Sequence, residues 1–581
     1  MQLHRYDVIV VGAGGAGLRA ALEASGSART AVVSKLHPTR SGTGAAQAGI
    51  NAALGSAARG NASDDDSWER HAFDTVAAGD YLVDQAAAEL MCREAPDAVR
   101  DLEKLGVPFS RTAEGLINQR APGGATQRAA VAGELTGHHL LLTLYQQCLR
   151  GGVEFFDEFY VLDLLFTDGA PDSAVAGVVG YELATGELHT FSAPAVVLAT
   201  GGCGRVYRST SNGHGATGDA MALALRSGFP LQDMEFYQFH PTGLHPLGIL
   251  LPEAARAEGA RLRGANGERF MERYAPAAKE LAPTDVVARA IISEIREGRG
   301  CAPGGDHVVL DLTEIPREQW GSATATAAEL ALTQVGVEAA ETPLPVHPTA
   351  HYAMGGLPTT PDAQVLGRTD LPVPGLYAAG EVACVSVHGA NRLTANALLE
   401  AVVFGQRAGA SAAEHARGGR RPELPGQPDA SASALLQGLR TPGGTERSAP
   451  IRAALQRTMD EHASVFRSED SLAQAAADIR RLKERYEHVA VTDPGRRYNT
   501  DLMEAVELGF LLDVAEVLVA SAAARRESRG AHFRTDHPAR DDIGFLHHTL
   551  AYRASPGEPD DISLESRPVD VTRYQPTERR Y

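Results

Sequence analysis

The sequence predicts an α/β fold: a dinucleotide-binding domain on a parallel sheet, a second domain inserted into it, and a helical C-terminal domain. Three features predict it. The run DVIVVGAGGAG at 7–17 joins an apolar strand to a glycine-rich turn, two later strands also end in glycine, and apolar residues after 450 recur at helical spacing.

The first run sets Gly12, Gly14, Gly15 and Gly17 between the strand and an alanine-rich helix, LRAALEA. A parallel strand covered by helices on both sides must be apolar on both faces. Gly12 permits the tight turn, Gly14 lets the backbone approach a pyrophosphate, and Gly17 lets the helix pack closely with its N-terminal amides toward the phosphates. The unit is Rossmann-like and closes with RTAVVSK, a second strand ending near Ser34 and Lys35. No Asp or Glu stands there for an adenine ribose. That weakens NAD and favours FAD, which flavoproteins gather from distant segments.

Two such segments follow. AVVLATGG (195–202) leads into GHGATGDAMALALRSG, whose Asp219 opens a helix, and GLYAAGE (375–381) delivers Gly380 and Glu381. GANRLTANALLEAVVFG (389–405) then turns into a helix whose first turn, with Asn396 and Leu398, offers its amides to an anionic group. Three separated strand–glycine elements make one composite site. The FAD-binding domain is therefore expected over 1–239 and 351–420, with a capping or substrate domain inserted at 240–350. A Pro/Gly-rich linker is expected over 421–450 around a short helix at 431–438, then a helical domain over 451–545. The tail, 546–581, reads equally as a closing strand or as a partner contact.

Composition narrows the function classes. With 581 residues, 44% apolar and 22% charged, the chain is ordinary for a globular protein, and its formal charge of -19 opposes nonspecific nucleic-acid binding. Its five cysteines show no CxxC spacing, so neither a disulfide framework nor an iron–sulfur, zinc or other metal site of its own is expected. No apolar run is long enough to span a bilayer, and the chain enters its first strand without a basic-then-apolar leader. The expected location is cytoplasmic, with any membrane attachment made through a partner.

The runs SKLHPTRSGTGAAQAGI (34–50), HAFDTVAAGDYLVDQ (71–85), QFHPTG (238–243), GERFMERYAP (267–276), HYAMGGLPT (351–359), GEVACVSVHGANRL (380–393) and the closing TRYQPTERRY carry a resemblance. They resemble the flavoprotein subunit of succinate dehydrogenase and fumarate reductase, over nearly the whole chain. L-aspartate oxidase shares the first domains. The resemblance implies an FAD-dependent oxidoreductase of electron transport and the tricarboxylic acid cycle. It also implies electrons passed to an iron–sulfur subunit, and membrane-anchor subunits that hold the complex on the inner face of the cell membrane. Within 34–50 it assigns Ser34, Lys35, Ser41, Thr43 and Gly49 to the cofactor, beside the glycines, Asp219, Glu381, Asn396 and Leu398.

Oxidising a dicarboxylate to an alkene moves a hydride from one carbon and a proton from its neighbour while both carboxylates are clamped. By resemblance His240, His351 and Arg392 bind the carboxylates, and Glu253 and Arg256 stand behind the proton path. Each has a structural alternative: a histidine before proline can cap a turn, and Arg392 can pair with Glu381 or Glu400.

Three departures from the family pattern stand out. Gly42 occupies the place of the histidine that links the flavin, so a noncovalent FAD is expected. Pro252 replaces a threonine before Glu253 and removes a hydroxyl donor. Thr284 replaces the arginine that transfers the proton, and Arg289, five residues on, points elsewhere on a helix. The segment 120–128 is also shorter than its counterpart and lacks a histidine, and Ala397 stands where a flavin-contacting serine is usual. Two alternatives therefore remain beside succinate–fumarate chemistry: an FAD oxidoreductase acting on another dicarboxylate or amino-dicarboxylate, and a noncatalytic flavin-binding subunit.

Overall fold

The computed structural model describes residues 2–55, 66–121, 126–168, 173–418, 421–440, 443–554 and 561–579. Its centre is a six-stranded sheet in the order Gln364–Leu366, Pro372–Ala378, Ala195–Leu198, Val8–Val11, Thr30–Ser34, Glu154–Asp157. All neighbours run parallel except the first pair. Side chains of successive strand residues point to opposite faces, which divides the apolar run cleanly. Val8, Val10 and Val32 join the core beneath the helices Gly15–Ser25 and Asn396–Gly418. Ile9, Val11 and Val33 join a second core that continues into the C-terminal helices. Gly409 lets the two helices touch, since a Cβ there would lie 2.2 Å from Ala20 O.

The inserted domain has its own core, including Leu262, Phe270, Val287 and Leu310. Its antiparallel sheet runs Ile249–Leu250, Tyr237–Leu244, Leu344–Ala353, Val308–Asp311, Arg261–Arg263. The two long strands, Tyr237–Leu244 and Leu344–Ala353, cross the expected boundaries at 240 and 351, so the domains are joined through paired strands instead of loose loops. The register slips between Gln238 and Phe239 and between His240 and Gly243. Such irregularities re-aim side chains next to sites.

Between 421 and 450 a helix forms at Ala430–Arg440, and the next begins at Ser448. The helices Ser448–His462, Glu469–Tyr486 and Thr500–Ala524 follow. The last is buried over most of its length, from Leu502 to Ala522, as a central helix must be. The helical stretch expected over 451–545 stops at Ala524. Beyond it Arg525, Arg529 and Arg534 are buried, and the irregular chain supplies acceptors that a helix has already used, such as Phe545 O and His547 O to Arg525. The tail does form a strand, Ile562–Pro568, antiparallel to His547–Arg553. It then runs back over the FAD-binding domain, where Gln85 Nε2 donates to Tyr574 O at 2.7 Å, and reaches the inserted domain, where Arg579 pairs with Asp285 at 3.1 Å. No helix among the described residues is long and apolar enough to cross a membrane.

Candidate active site

The glycine turn leaves room that no side chain can enter. Gly12 has φ +107°, and a Cβ there would lie 2.3 Å from Ala199 O. At Gly17 a Cβ would lie 2.0 Å from Gly12 O. Gly14 faces Ser41 and Thr43, and Gly15 N donates to Thr43 Oγ1 at 2.9 Å, tying the turn to the segment 41–45. Gly49, at φ +91°, lies so near the strand opposite that a Cβ would meet Ala130 O at 2.7 Å. These positions form a backbone-lined cradle of the kind a pyrophosphate requires.

Other residues expected at the cofactor spend their side chains on protein. Ser34 Oγ donates to Leu36 O at 2.6 Å. Lys35 Nζ bridges Asp219 at 2.8 Å and Glu507 at 2.9 Å; burial opposes its charge, but the two carboxylates outweigh it and raise its pKa. Asp219 also accepts from Thr217 and Tyr160. The Asn396 side-chain amide is bonded to Asn51, His71 and Thr75, and its backbone N–H donates to Leu393 O at 3.2 Å. Leu398 packs in the core under the same helix. Glu381 accepts from Ala353 N at 3.0 Å, and burial raises its pKa to about 7.

The residues expected to bind carboxylates do come together. His240 and His351 lie on the paired strands Tyr237–Leu244 and Leu344–Ala353, their rings edge to face with centroids 5.7 Å apart. Burial, with Arg256 and Arg392 nearby, holds His240 well below the ordinary imidazole range, and burial with Arg392 and His240 does the same to His351. His240 Nδ1 accepts from Thr242 N at 3.3 Å, so the neutral ring carries its proton on Nε2 as a donor. His351 Nδ1 is held by Ser211 Oγ at 2.8 Å.

Arg392 is buried with its Nε unpartnered, its guanidinium 4.8 Å over the Tyr352 ring. It pairs directly with neither Glu381 nor Glu400: Glu400 takes the Tyr352 hydroxyl at 2.5 Å, and Glu381 takes Ala353 N. Gln238 Nε2 donates to Asn391 Oδ1 and Arg392 O, fixing the loop that presents the arginine. A buried cation with a free donor is poised for an anion.

Glu253 and Arg256 form the third part. Arg256 Nη2 donates to Glu253 Oε1 at 2.7 Å, and Nη1 to Glu280 O at 2.8 Å. Thr394, two residues from Arg392, donates to Glu253 Oε2 at 3.0 Å. Thr284 Oγ1 lies 3.4 Å from Glu253 Oε1. Arg289 turns away, pairing with Asp285 at 3.0 Å and donating to Gly530 O. At Gly42 a Cβ would meet nothing within 4 Å. Part of the short segment 120–128, at 122–125, lies outside the described residues.

Sequence reasoning missed Ser211, Thr242, Gln238, Tyr352 and Thr394. Thr242 and Gln238 sit inside QFHPTG, and both have a buried oxygen without a partner, which strand position alone does not reveal. Thr394 could have been found by its nearness to Arg392.

Comparison with known proteins supplies the family. An FAD binding domain model matches residues 7–398, and a model of the fumarate reductase flavoprotein C-terminus matches 452–581. A succinate dehydrogenase flavoprotein subunit of Rickettsia bellii is 48% identical, covering 98% of this chain and 96% of that protein. A fumarate reductase flavoprotein subunit of Mycobacterium tuberculosis is 42% identical, covering 99% of each. A structure of E. coli quinol fumarate reductase superposes with a TM-score of 0.92 at 39% identity, covering 100% of this chain and 99% of that one. The cradle thus lies within an FAD-binding domain, and the chain belongs to the flavoprotein subunits of succinate dehydrogenase and fumarate reductase, a family of FAD-dependent oxidoreductases.

Proposed function

We propose that this chain interconverts succinate and fumarate with a noncovalently held FAD, and passes the electrons to an iron–sulfur subunit. The convergence of His240, His351 and Arg392 beside the Arg256–Glu253 pair carries the reading. FAD, when bound, supplies the site that accepts or returns the hydride. Gly12, Gly14, Gly15 and Gly17 would hold its pyrophosphate, with Ser41, Thr43 and the turn at Gly49 on the second side. Asn396 and Leu398, in the first turn of their helix, would line the site, and Ser34, Lys35, Asp219 and Glu381 would brace its walls.

Each carboxylate of the substrate meets different donors. Arg392 supplies a buried charge to one, and the Nε2–H of His240 with the His351 ring supplies neutral donors to the other. The clamp holds the reacting carbons still while the proton moves. Arg256 holds Glu253 as the proton store, and the Thr284 hydroxyl is the group that extends from Glu253 toward the substrate. A hydroxyl carries no positive charge to steady the developing carbanion, so turnover is slow compared with an arginine in the same place.

Noncovalent attachment follows from Gly42, which has no nucleophile. Family membership supports membrane-anchor partners and a location on the inner face of the cell membrane. The test is to mix the FAD-loaded protein anaerobically with succinate, and the chemically reduced protein with fumarate, following flavin absorbance. Bleaching in the first and reoxidation in the second support the reading, and an unchanged spectrum in both refutes it.

A further inference from the structure

The inserted domain carries a second polar cluster, apart from Glu253 and Arg256. Leu244, Val346 and Val308 are paired across three neighbouring strands. Successive strand residues point to opposite faces, so their sequence neighbours His245, His347 and His307 share the face opposite that of Leu244, Val346 and Val308, and Asp306 precedes His307. His307 Nδ1 lies 3.1 Å from Asp306 Oδ1, and His245 Nε2 lies 3.7 Å from the same oxygen. The rings of His245 and His307 stack at 4.8 Å.

We propose that His245, Asp306 and His307 form a binding site for one divalent transition-metal ion of the zinc class. Among the described residues they are the one group of three such side chains whose ligand atoms all lie within 4.8 Å of one another. Two tetrahedral bonds of about 2.0–2.2 Å place their ligand atoms roughly 3.3–3.6 Å apart, which the contacts to Asp306 straddle. Two imidazoles with one carboxylate suit zinc, nickel or cobalt and not magnesium or calcium, which take oxygen ligands. The half-open position of His245 and the exposure of Asp306 leave the remaining coordination positions to water.

The neighbouring His347 adds a supporting wall. Its ring centroid is 6.4 Å from that of His245, and its Nδ1 is tied to Pro348 O at 2.7 Å, which leaves Nε2 as an acceptor. A bound ion would join the strand Tyr237–Leu244 to the chain entering Val308–Asp311, stiffening the sheet that holds His240 and His351. The ligands come from segments sixty residues apart in sequence, so no short spacing announces the site.

The experiment is equilibrium dialysis of the chelator-treated, FAD-loaded full chain against zinc, with metal analysis and melting temperature as readouts. His245→Asn and Asp306→Asn are compared with the unchanged chain, and matching flavin content and zinc-free melting temperature certify that each is folded. The expected result is one zinc per chain, a melting temperature that rises with zinc, and affinity lower by about tenfold or more in each variant. Absence of bound zinc in the unchanged chain, or undiminished binding in either variant, overturns the proposal. The exposed Asp306 keeps the test usable if His245→Asn fails to fold.

Discussion

The Thr284 hydroxyl lies 3.4 Å from Glu253 Oε1, the oxygen that Arg256 Nη2 already holds at 2.7 Å. Glu253 is thus gripped by one guanidinium and two hydroxyls, with Thr394 on its other oxygen. Arg289 does not fill the place of the missing arginine, because it is committed to Asp285 and Gly530. On the proposed reading the proton path is anchored by Arg256 and ends in a hydroxyl on the substrate side.

Replacing Thr284 by arginine is therefore expected to speed fumarate reduction by about 10²-fold or more, since a positioned acid contributes roughly 10²–10⁴. The rate with a reduced dye as donor reads this out. Thr284→Ala should be slower than the unchanged chain. A faster Thr284→Ala, or a Thr284→Arg that gains nothing while keeping its full flavin content, would remove Thr284 from the proton path.

Arg392→Gln keeps a polar side chain but removes the buried charge over Tyr352. Losing one member of a buried charge pair costs about 2–5 kcal/mol, so dicarboxylate binding should weaken by roughly 30-fold to 4,000-fold. Titration followed by flavin absorbance measures it, with bound FAD unchanged. Equal affinity in the variant would show that the cation serves the fold and not the ligand.

Acid precipitation should release all of the flavin from the unchanged protein. A Cβ at Gly42 meets nothing within 4 Å, so the first side-chain atom of Gly42→His is accommodated without a clash. That variant is expected to retain flavin on the denatured chain. Yellow protein after acid treatment of the unchanged chain would contradict noncovalent attachment.

The sequence made the sheet legible because parallel strands between helices must be apolar on both faces, and Val8–Val11 announces that in four residues. His240, His351 and Arg392 were legible through their motifs, and the fold brings them together. What stayed hidden depends on pairing across long separations. Asn396 is expected at the cofactor, and its motif does not show that its side-chain amide bonds Asn51, His71 and Thr75. Lys35 and Asp219 each looked available, but they satisfy one another. The end of the C-terminal helices at Ala524 was hidden for a similar reason: helical periodicity does not show that buried arginines will draw on the carbonyls of the chain that follows.

One such distant pairing gives the protein a pH dependence. His548 lies between Asp233 Oδ2 at 2.6 Å and Asp84 Oδ1 at 3.1 Å, with Ser386 beside it and Arg525 and Arg567 acting on the carboxylates. Burial alone would lower the imidazole pKa, but the two carboxylates outweigh it and raise it to about 9 from 6.5. The folded chain thus keeps a proton that the unfolded chain gives up. The stabilisation is fully present below pH 6.5 and is lost as pH rises through about 9. Its upper bound is roughly 3 kcal/mol, from the size of the shift. Asp233 and Asp84 are both held below the usual carboxylate range, so their share is lost in acid instead. Melting temperature read from flavin release should fall between pH 6.5 and 9, and His548→Gln should flatten that fall. An identical fall in the variant would mean that this histidine, although it pins the strand His547–Arg553 to Asp233 and Asp84, does not set the alkaline limit.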